Sequence, residues 1–378
     1  MVKIASMNPD VRSRPLKLLF HCPALTDGGA ERVWALLAGE LAARGHAVHL
    51  AVDAKAANGP AVPPGVEPHI LPPGRLAALR ALRRLLGDLA PDVALSAVAA
   101  SPLLLTIAAS GLDVPLVHAF HGFEEWRTGY LSRLTWRSLP WIARRSARIV
   151  AVSDALREYL AESWNVPTEK LVRIWNPVAL PDPLPAVDAG DLLSRPREIL
   201  CIGRLSAEKG HGLLLRAMAL MRDREAGLTL VGEGPRRPHL EEQARHLGIA
   251  DRVRFAGWQD DVWPWLGRAR VFALPSRTES FGNVVVEALA AGLPVVCTDT
   301  PGPAEILGGD ARLGRLVPVT GAEEMAEALD ALLENPGDPG PRQMRALDFS
   351  AAKGVDAWEG LIRDVAGGRK ASGPAVPA

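Results

Sequence analysis

Short apolar runs alternate along this chain with longer stretches in which apolar positions recur every three or four residues. Apolar runs of about four to eight residues bounded by turn signals predict strands buried on both faces. In the first half they fall at Leu16–Phe20, Ala47–Val52, Val93–Val98, Pro115–Phe120 and Arg148–Val152. In the second half they fall at Glu198–Ile202, Leu228–Val231, Val253–Phe255, Val271–Leu274, Pro294–Cys297 and Arg315–Val317. The helical period fills the intervals, as in Ala30–Ala43, where Val33, Leu37 and Leu41 share a face. Alternation of this kind implies parallel sheets, and two such series predict two doubly wound α/β domains, over 15–180 and 197–350. Between them Pro177–Pro196, which contains Pro181-Asp-Pro-Leu-Pro185, has no period and predicts a linker. A last helical pattern over 351–366 is expected to pack back on the first domain. The Gly/Pro/Ala-rich stretch 367–378 is expected to be a disordered tail.

A length of 378 residues agrees with two domains, and a hydrophobic content of 48% excludes a disordered chain. The 43 basic and 43 acidic residues cancel, which with no recognisable module argues against a nucleic-acid binder. Residues 1–178 nevertheless hold 20 Lys/Arg against 15 Asp/Glu, leaving 23 against 28 for the rest. The three cysteines, Cys22, Cys201 and Cys297, are single and lie in apolar stretches. That pattern predicts buried free thiols rather than a disulfide framework or a cysteine zinc site. Several of the ten tryptophans stand in polar company, which suggests surface or interface roles. Leu16–Phe20 is too short for a signal-peptide core and no run of 18 apolar residues exists, so a cytoplasmic protein is expected.

Ligands of doubly wound sheets bind beyond the carboxyl ends of the strands, and two facing domains would place a site in the cleft between them. Four such strand ends carry chemistry. Leu25-Thr-Asp-Gly-Gly-Ala-Glu-Arg32 opens a helix with paired Gly28 and Gly29, which let backbone approach a ligand. His118-Ala-Phe-His-Gly-Phe123 ends a strand, with His118 expected in the core and His121 at the strand end. Gly203-Arg-Leu-Ser-Ala-Glu-Lys-Gly210 brackets a loop with Arg204 and Lys209, a planar fork and a point charge that both suit phosphate oxygens. Leu274-Pro-Ser-Arg-Thr-Glu-Ser-Phe-Gly-Asn-Val-Val-Val-Glu287 runs from a strand through a polar turn into a helix. The N–H groups and positive dipole end of such a helix form an anion site that a diphosphate fits. The spacing of Glu279 and Glu287 recurs at Glu225 and Glu233 and means nothing alone; its context does. Val231-Gly-Glu-Gly-Pro235 lacks the third glycine of a dinucleotide fingerprint and is expected to be a strand-to-helix turn.

Together these segments resemble the family 4 retaining glycosyltransferases, whose fold is GT-B: two Rossmann-like domains facing across a cleft. The resemblance runs from Gly28 to Glu305 and is most specific in Gly203–Gly210, Gly232–Pro235 and Leu274–Glu287. It implies a nucleotide-sugar donor, most commonly UDP-linked, no metal in the site and no other cofactor. It further implies that Arg204 and Lys209, beside Gly203, neutralise the donor diphosphate and that Glu287 holds the ribose. Glu279 and the backbone of Phe281, Gly282 and Asn283 would hold sugar and phosphates. His121 would meet the donor sugar, with Gly28 and Gly29 closing over the diphosphate. The metal-binding Asp-x-Asp of another glycosyltransferase fold is absent.

Two departures stand out: Ser280-Phe-Gly where many relatives have Gly-Phe-Gly, and Thr300-Pro-Gly-Pro-Ala-Glu305 where many have Gly-Gly. The second, with the opening Gly-Gly-Ala-Glu-Arg, resembles a subgroup that passes N-acetylhexosamines from UDP to polyprenyl-diphosphate-linked sugars. Arg127–Arg148 holds six arginines, no acid, Tyr130, Trp136 and Trp141. Leu76–Leu86 adds Arg80, Arg83 and Arg84. Basic residues interleaved with aromatics suit an anionic membrane surface, and so a lipid-linked acceptor and a peripheral position on the cytoplasmic face. A UDP-sugar 2-epimerase or a catalytically silent nucleotide-sugar binder are the alternatives.

Overall fold

The computed structural model describes residues 14–25, 28–53, 61–98, 100–123 and 130–371, without the side chains of 369–371. The chain forms two compact units, Met1–Pro177 with Ala351–Ala378, and Val178–Ser350.

In the first unit the strands are β1 (Lys17–Cys22), β2 (Ala47–Val52), β3 (Val66–Ile70), β4 (Val93–Ala97), β5 (Leu116–Phe120), β6 (Arg148–Ala151) and β7 (Leu171–Arg173). They form one parallel sheet in the order β3-β2-β1-β4-β5-β6-β7. The helices are α1 (Gly29–Ala43), α2 (Arg75–Leu89), α3 (Ser101–Ala108), α4 (Tyr130–Arg137), α5 (Leu139–Arg145) and α6 (Asp154–Trp164). On one face, Phe20, Leu50, Leu95 and Val117 meet Trp34, Leu37 and Leu41 of α1 and Val355, Trp358 and Ile362 of the final helix. The ring of Trp34 lies 4.8 Å from Phe20 and 6.0 Å from Trp358, centroid to centroid. On the other face, Leu19, Ala51 and Ala94 meet Leu82 and Leu86 of α2 and Leu105 of α3.

β3 and β7 are not predicted by the sequence pattern. β3 is an edge strand, Val-Glu-Pro-His-Ile, with only Val66 buried, so it lacks an apolar run; β7 has three residues. Trp34, Trp136 and Trp358 are core residues, contrary to the surface role that polar neighbours suggested. The final helix continues through Gly367 and Gly368 to Ala371, past the expected start of a disordered tail at 367; residues 372–378 lie outside the described residues.

His118 on β5 is fully buried, and its partners fix its tautomer. The Thr106 hydroxyl donates to the Pro102 carbonyl at 2.6 Å, so toward His118 Nε2 (3.1 Å) it accepts. Nε2 therefore carries the proton and Nδ1 accepts from the Ser96 hydroxyl at 2.7 Å. Burial, aided by nearby His21, pushes this imidazole down to about 3. A histidine held neutral in the fold takes up a proton more readily unfolded, so stability falls as pH drops below the unfolded value near 6.5 and continues falling to about 3. The expected slope is about 1.4 kcal/mol per pH unit for this residue. Urea titrations between pH 7 and 4 should show it, and His118→Asn should flatten the dependence.

The second unit contains β8 (Glu198–Ile202), β9 (Gly227–Val231), β10 (Val253–Gly257), β11 (Val271–Leu274), β12 (Val295–Thr298) and β13 (Gly314–Val317). They form a parallel sheet in the order β10-β9-β8-β11-β12-β13. Its helices are α7 (Ala189–Ser194), α8 (His211–Leu220), α9 (Arg237–His246), α10 (Trp263–Leu266), α11 (Asn283–Ala290), α12 (Pro301–Leu307), α13 (Ala322–Glu334) and α14 (Gly340–Ala346); α15 (Ala351–Ala371) is the helix that returns to the first unit. Leu214, Met218, Leu228, Leu230, Val271, Met325 and Leu329 are among its core residues. α7 lies inside the stretch expected to be a linker. A reciprocal capping box starts it: Asp188 accepts from the Asp191 N–H at 2.8 Å, and Asp191 from the Asp188 N–H at 2.9 Å. The three cysteines are buried free thiols, and burial pushes Cys22 and Cys201 up to about 12.

Candidate functional site

Four loops leave the carboxyl ends of β9, β8, β11 and β12, which are neighbours in that order. Their backbones are knitted together. The Leu205 N–H donates to the Glu233 carbonyl and the Arg236 N–H to the Leu205 carbonyl, both at 2.9 Å. Gly232 (φ +136°) faces the Gly203 carbonyl so closely that a Cβ would stand 2.1 Å from it. This accounts for both glycines of Gly-Glu-Gly-Pro as packing glycines of a strand-to-helix turn, since a Cβ on Gly234 would also strike the Leu205 backbone. On the other side the Arg277 N–H donates to the Glu208 carbonyl at 2.8 Å. Gly210 (φ +65°) leaves a Cβ position only 2.0 Å from the Pro275 carbonyl oxygen. Gly302, in the Pro-Gly-Pro departure, donates to the Glu279 carbonyl at 2.9 Å. A Cβ there would overlap the Phe281 backbone, at 2.2 to 2.4 Å.

Within this frame Lys209 Nζ donates to Glu279 Oε2 at 2.6 Å, with the two side chains 26% and 15% exposed. Burial pulls the Lys209 ammonium down, and the Glu279 carboxylate more than offsets this, holding it above the ordinary lysine value. Lysine is therefore charged at every physiological pH. The stability that the pair contributes is present below the unfolded lysine value and is lost only as pH rises through the higher folded one. Glu279 is further placed by Ser276, fully buried, whose Oγ lies 3.4 Å from Oε2. The Thr298 hydroxyl bonds in turn to the Ser276 carbonyl.

Gly203 and Arg204 stand at the opening of the β8 loop; Arg204 is exposed and makes no ion pair or hydrogen bond through its side chain among the described residues. Gly282 (φ +100°) is the N-cap of α11, so the first N–H groups of Asn283–Ala290 open the helix beside Glu279. Phe281 is 2% exposed and stacks edge-on against Phe349 at 5.6 Å; its side chain anchors the loop, and its backbone borders α11. Asn283 and Glu287 are half-buried on α11. The second unit thus gathers Gly203, Arg204, Lys209, Glu279, Phe281, Gly282, Asn283 and Glu287 on two neighbouring loops and one helix.

The remaining expected residues belong to the first unit. Gly28 is the N-cap of α1 and Gly29 its first residue, while Thr26 and Asp27 of that motif lie outside the described residues. His121 follows β5 directly and is half-buried. Sequence reasoning passed over Arg277, Ser276 and Thr298. Arg277 is exposed and sits between the Pro-Ser turn and Glu279, a third cation on the two loops. Its signal was available, as a basic residue inside the most specific motif. The cavity of about 330 Å³ lined by Glu198, Thr229, Arg252 and Trp265 lies at the opposite, amino ends of β8, β9 and β10.

Comparison with known proteins bears on the family and the fold. Residues 27–180 match the family described as glycosyltransferase family 4, and residues 196–335 match glycosyl transferases group 1. A lipopolysaccharide core biosynthesis glycosyltransferase of Rhizobium meliloti, LpsE, is 38% identical over 135 residues, 36% of this chain and 39% of its own length. The N-acetylgalactosamine-N,N'-diacetylbacillosaminyl-diphospho-undecaprenol 4-alpha-N-acetylgalactosaminyltransferase of Campylobacter jejuni is 30% identical over 178 residues, 47% of this chain and 48% of its own. The matched stretches thus span less than half the length of each of these relatives. Anabaena HepE, solved in complex with UDP, shares the fold with a TM-score of 0.78 at 20% identity, over 92% of this chain and all of that one. With two Rossmann-like units and both family matches in chain order, the chain belongs to the family 4 glycosyltransferases of GT-B fold.

Proposed function

We propose that the protein transfers a sugar, with retention of anomeric configuration, from a UDP-sugar to a hydroxyl of a lipid-linked saccharide in surface-glycan synthesis. The observation that carries this is the Lys209–Glu279 pair, 2.6 Å apart, beside the N-terminus of α11, with Arg204 exposed on the same β8 loop as Lys209. A departing diphosphate gains charge in the transition state, and preorganised cations and helix N–H groups are suited to meeting it. Those groups, rather than a metal, would bear the diphosphate, and Glu287 on α11 would hold the ribose. In the proposed course sugar departure and attack occur on one face, and a diphosphate oxygen takes the proton of the acceptor hydroxyl as the new glycosidic bond forms. UDP as the base is supported by the nucleotide bound to HepE, and a polyprenyl-diphosphate acceptor by the name of the Campylobacter relative.

A membrane-surface role is part of the same proposal, with two changes to the expected anchor. Trp136 is 3% exposed and serves the core, and Arg83 caps α3 by donating to the Ala108 and Ser110 carbonyls. What remains includes Tyr130 (69% exposed) and Leu134 on α4, flanked by exposed Arg133, Arg137, Arg144, Arg145 and Arg148, with exposed Arg80 and Arg84 on α2. Residues 127–129 of the basic stretch lie outside the described residues. No helix of the described residues is long and apolar enough to cross a membrane.

Thermal unfolding in chelator with UDP, GDP or NAD⁺ tests the donor reading. UDP at about 100 times its dissociation constant should stabilise by about 2.7 kcal/mol, and Arg204→Ala should diminish the response. A response to GDP alone would change the donor, and none to either nucleotide would remove the proposal.

A further inference from the structure

A second constellation lies in the first unit, on residues that no part of the transfer reaction uses. β2 and β3 run parallel with His49 opposite Glu67 and Ala51 opposite His69. Side chains two apart on a strand share a face, so His49 projects on the side of Ala51, and Glu67 and His69 project together beside it. Their ligating atoms converge. His49 Nδ1 lies 3.1 Å from His69 Nε2 and 3.3 Å from Glu67 Oε2, and His69 Nε2 lies 3.8 Å from Glu67 Oε1. It is the one group of three or more such side chains, among the described residues, whose donor atoms all lie within 4.8 Å of one another.

Two features favour a cation over a hydrogen-bonded cluster. Tetrahedral zinc with bonds of about 2.0–2.1 Å to nitrogen and oxygen separates its ligand atoms by about 3.3 Å, close to the 3.1 and 3.3 Å from His49 Nδ1 to His69 Nε2 and Glu67 Oε2; the 3.8 Å from His69 is to the other carboxylate oxygen. In addition, two neutral imidazoles and a carboxylate share too few protons to satisfy all three short approaches, whereas a cation meets three lone pairs at once. The gradation of exposure also suits a metal: the His49 side chain is 12% exposed, His69 23% and Glu67 64%, so the group is rooted in the sheet and opens to solvent.

We propose that His49, Glu67 and His69 form a binding site for a divalent first-row transition metal, zinc foremost, with its fourth position open to water. Imidazole with one carboxylate suits zinc better than magnesium or calcium, which prefer oxygen. The site joins β3 to β2. β3 is an edge strand, carries Pro68 and buries only Val66 of its five residues, so it has little packing of its own. An occupied site is a cross-strand clip on this edge, and binding to the folded state alone stabilises it by mass action.

The test uses the untagged full-length protein, stripped with chelator and titrated with zinc chloride, followed by native mass spectrometry and calorimetry. One zinc per chain and an upward shift in the unfolding temperature are expected. His69→Ala and the isosteric Glu67→Gln should each weaken zinc binding by more than the roughly 10–100-fold typical of an outer-shell partner. His246→Ala, which alters the exposed His246–Glu242 pair on α9, should leave it unchanged. Failure of stripped wild-type protein to bind zinc would overturn the proposal, as would undiminished affinity in Glu67→Gln, which keeps the size of the side chain and so the fold. Loss of binding in His246→Ala would assign the metal to α9 instead.

Discussion

Lys209→Met is expected to lower kcat/KM for sugar transfer by about 10²–10³, the cost of removing one preorganised donor to a developing anion. Methionine keeps the length of the stem and removes the charge proposed to meet the diphosphate. If the charge acts on the leaving group, most of the loss falls in kcat, and KM for the donor changes less. Arg204→Ala removes a more exposed charge and is expected to weaken UDP binding as well as turnover. The companion variant Glu279→Gln tests the pair from its other side. It keeps a hydrogen-bond acceptor 2.6 Å from Lys209 but withdraws the carboxylate that offsets burial of the ammonium. In the proposed role Lys209 acts while protonated, so its loss of charge on raising pH is expected to mark an alkaline limb. In wild type that limb lies above the ordinary lysine value, because Glu279 raises it. In Glu279→Gln it should move to lower pH, in a profile of kcat/KM from pH 7 to 10. An unmoved limb together with full activity in Lys209→Met would mean that the pair is structural only.

How far this site could be foreseen depends on whether a feature is written locally. Val271–Leu274, Glu198–Ile202 and Ala47–Val52 are predominantly apolar runs and form strands over those residues. β3 could not be found that way, since its four outer positions face solvent or the margin of the sheet. α7 was hidden because the Pro- and Asp-rich composition around it masks its signal, the Asp188/Asp191 box, which spans one turn. In the site the loop residues were legible one motif at a time: Arg204 and Lys209 as a basic loop, Glu279 and Gly282 as an acid before a helix. Their pairing was not, because Lys209 and Glu279 are 70 residues apart and meet only when β8 lies beside β11. Nor was the reason for Gly302, a residue that looked like a departure in a motif and whose environment is the backbone of Phe281. The tryptophans misled for a related cause: polar neighbours in sequence say little about which side of a helix a ring takes, and Trp34 points between Phe20 and Trp358.

The same dependence on packing makes Gly210→Ala a strongly damaging small substitution in the second unit. Two costs combine. Gly210 has φ +65°, and a non-glycine residue held there costs on the order of 1–3 kcal/mol. The added methyl would also stand 2.0 Å from the Pro275 carbonyl oxygen, a backbone atom that no side-chain rotation can move. Relief requires the β8 and β11 loops to part, and both are held by directly paired strands and by the Arg277 N–H bond to Glu208. Gly308→Ala separates the two costs. Gly308 has φ +56° and nothing within 4 Å of its Cβ position, so it bears the same backbone cost alone. Urea unfolding should therefore place Gly210→Ala several-fold further below wild type than Gly308→Ala, in the range above about 4 kcal/mol that marks a specific structural conflict. The functional consequence follows from the same contact, because parting the loops draws Lys209 away from Glu279. Gly308→Ala should keep the thermal response to UDP, and Gly210→Ala should lose it even at temperatures where it remains folded. Equal destabilisation by the two variants would mean that the loops separate freely, and the anion site would then owe nothing to their contact.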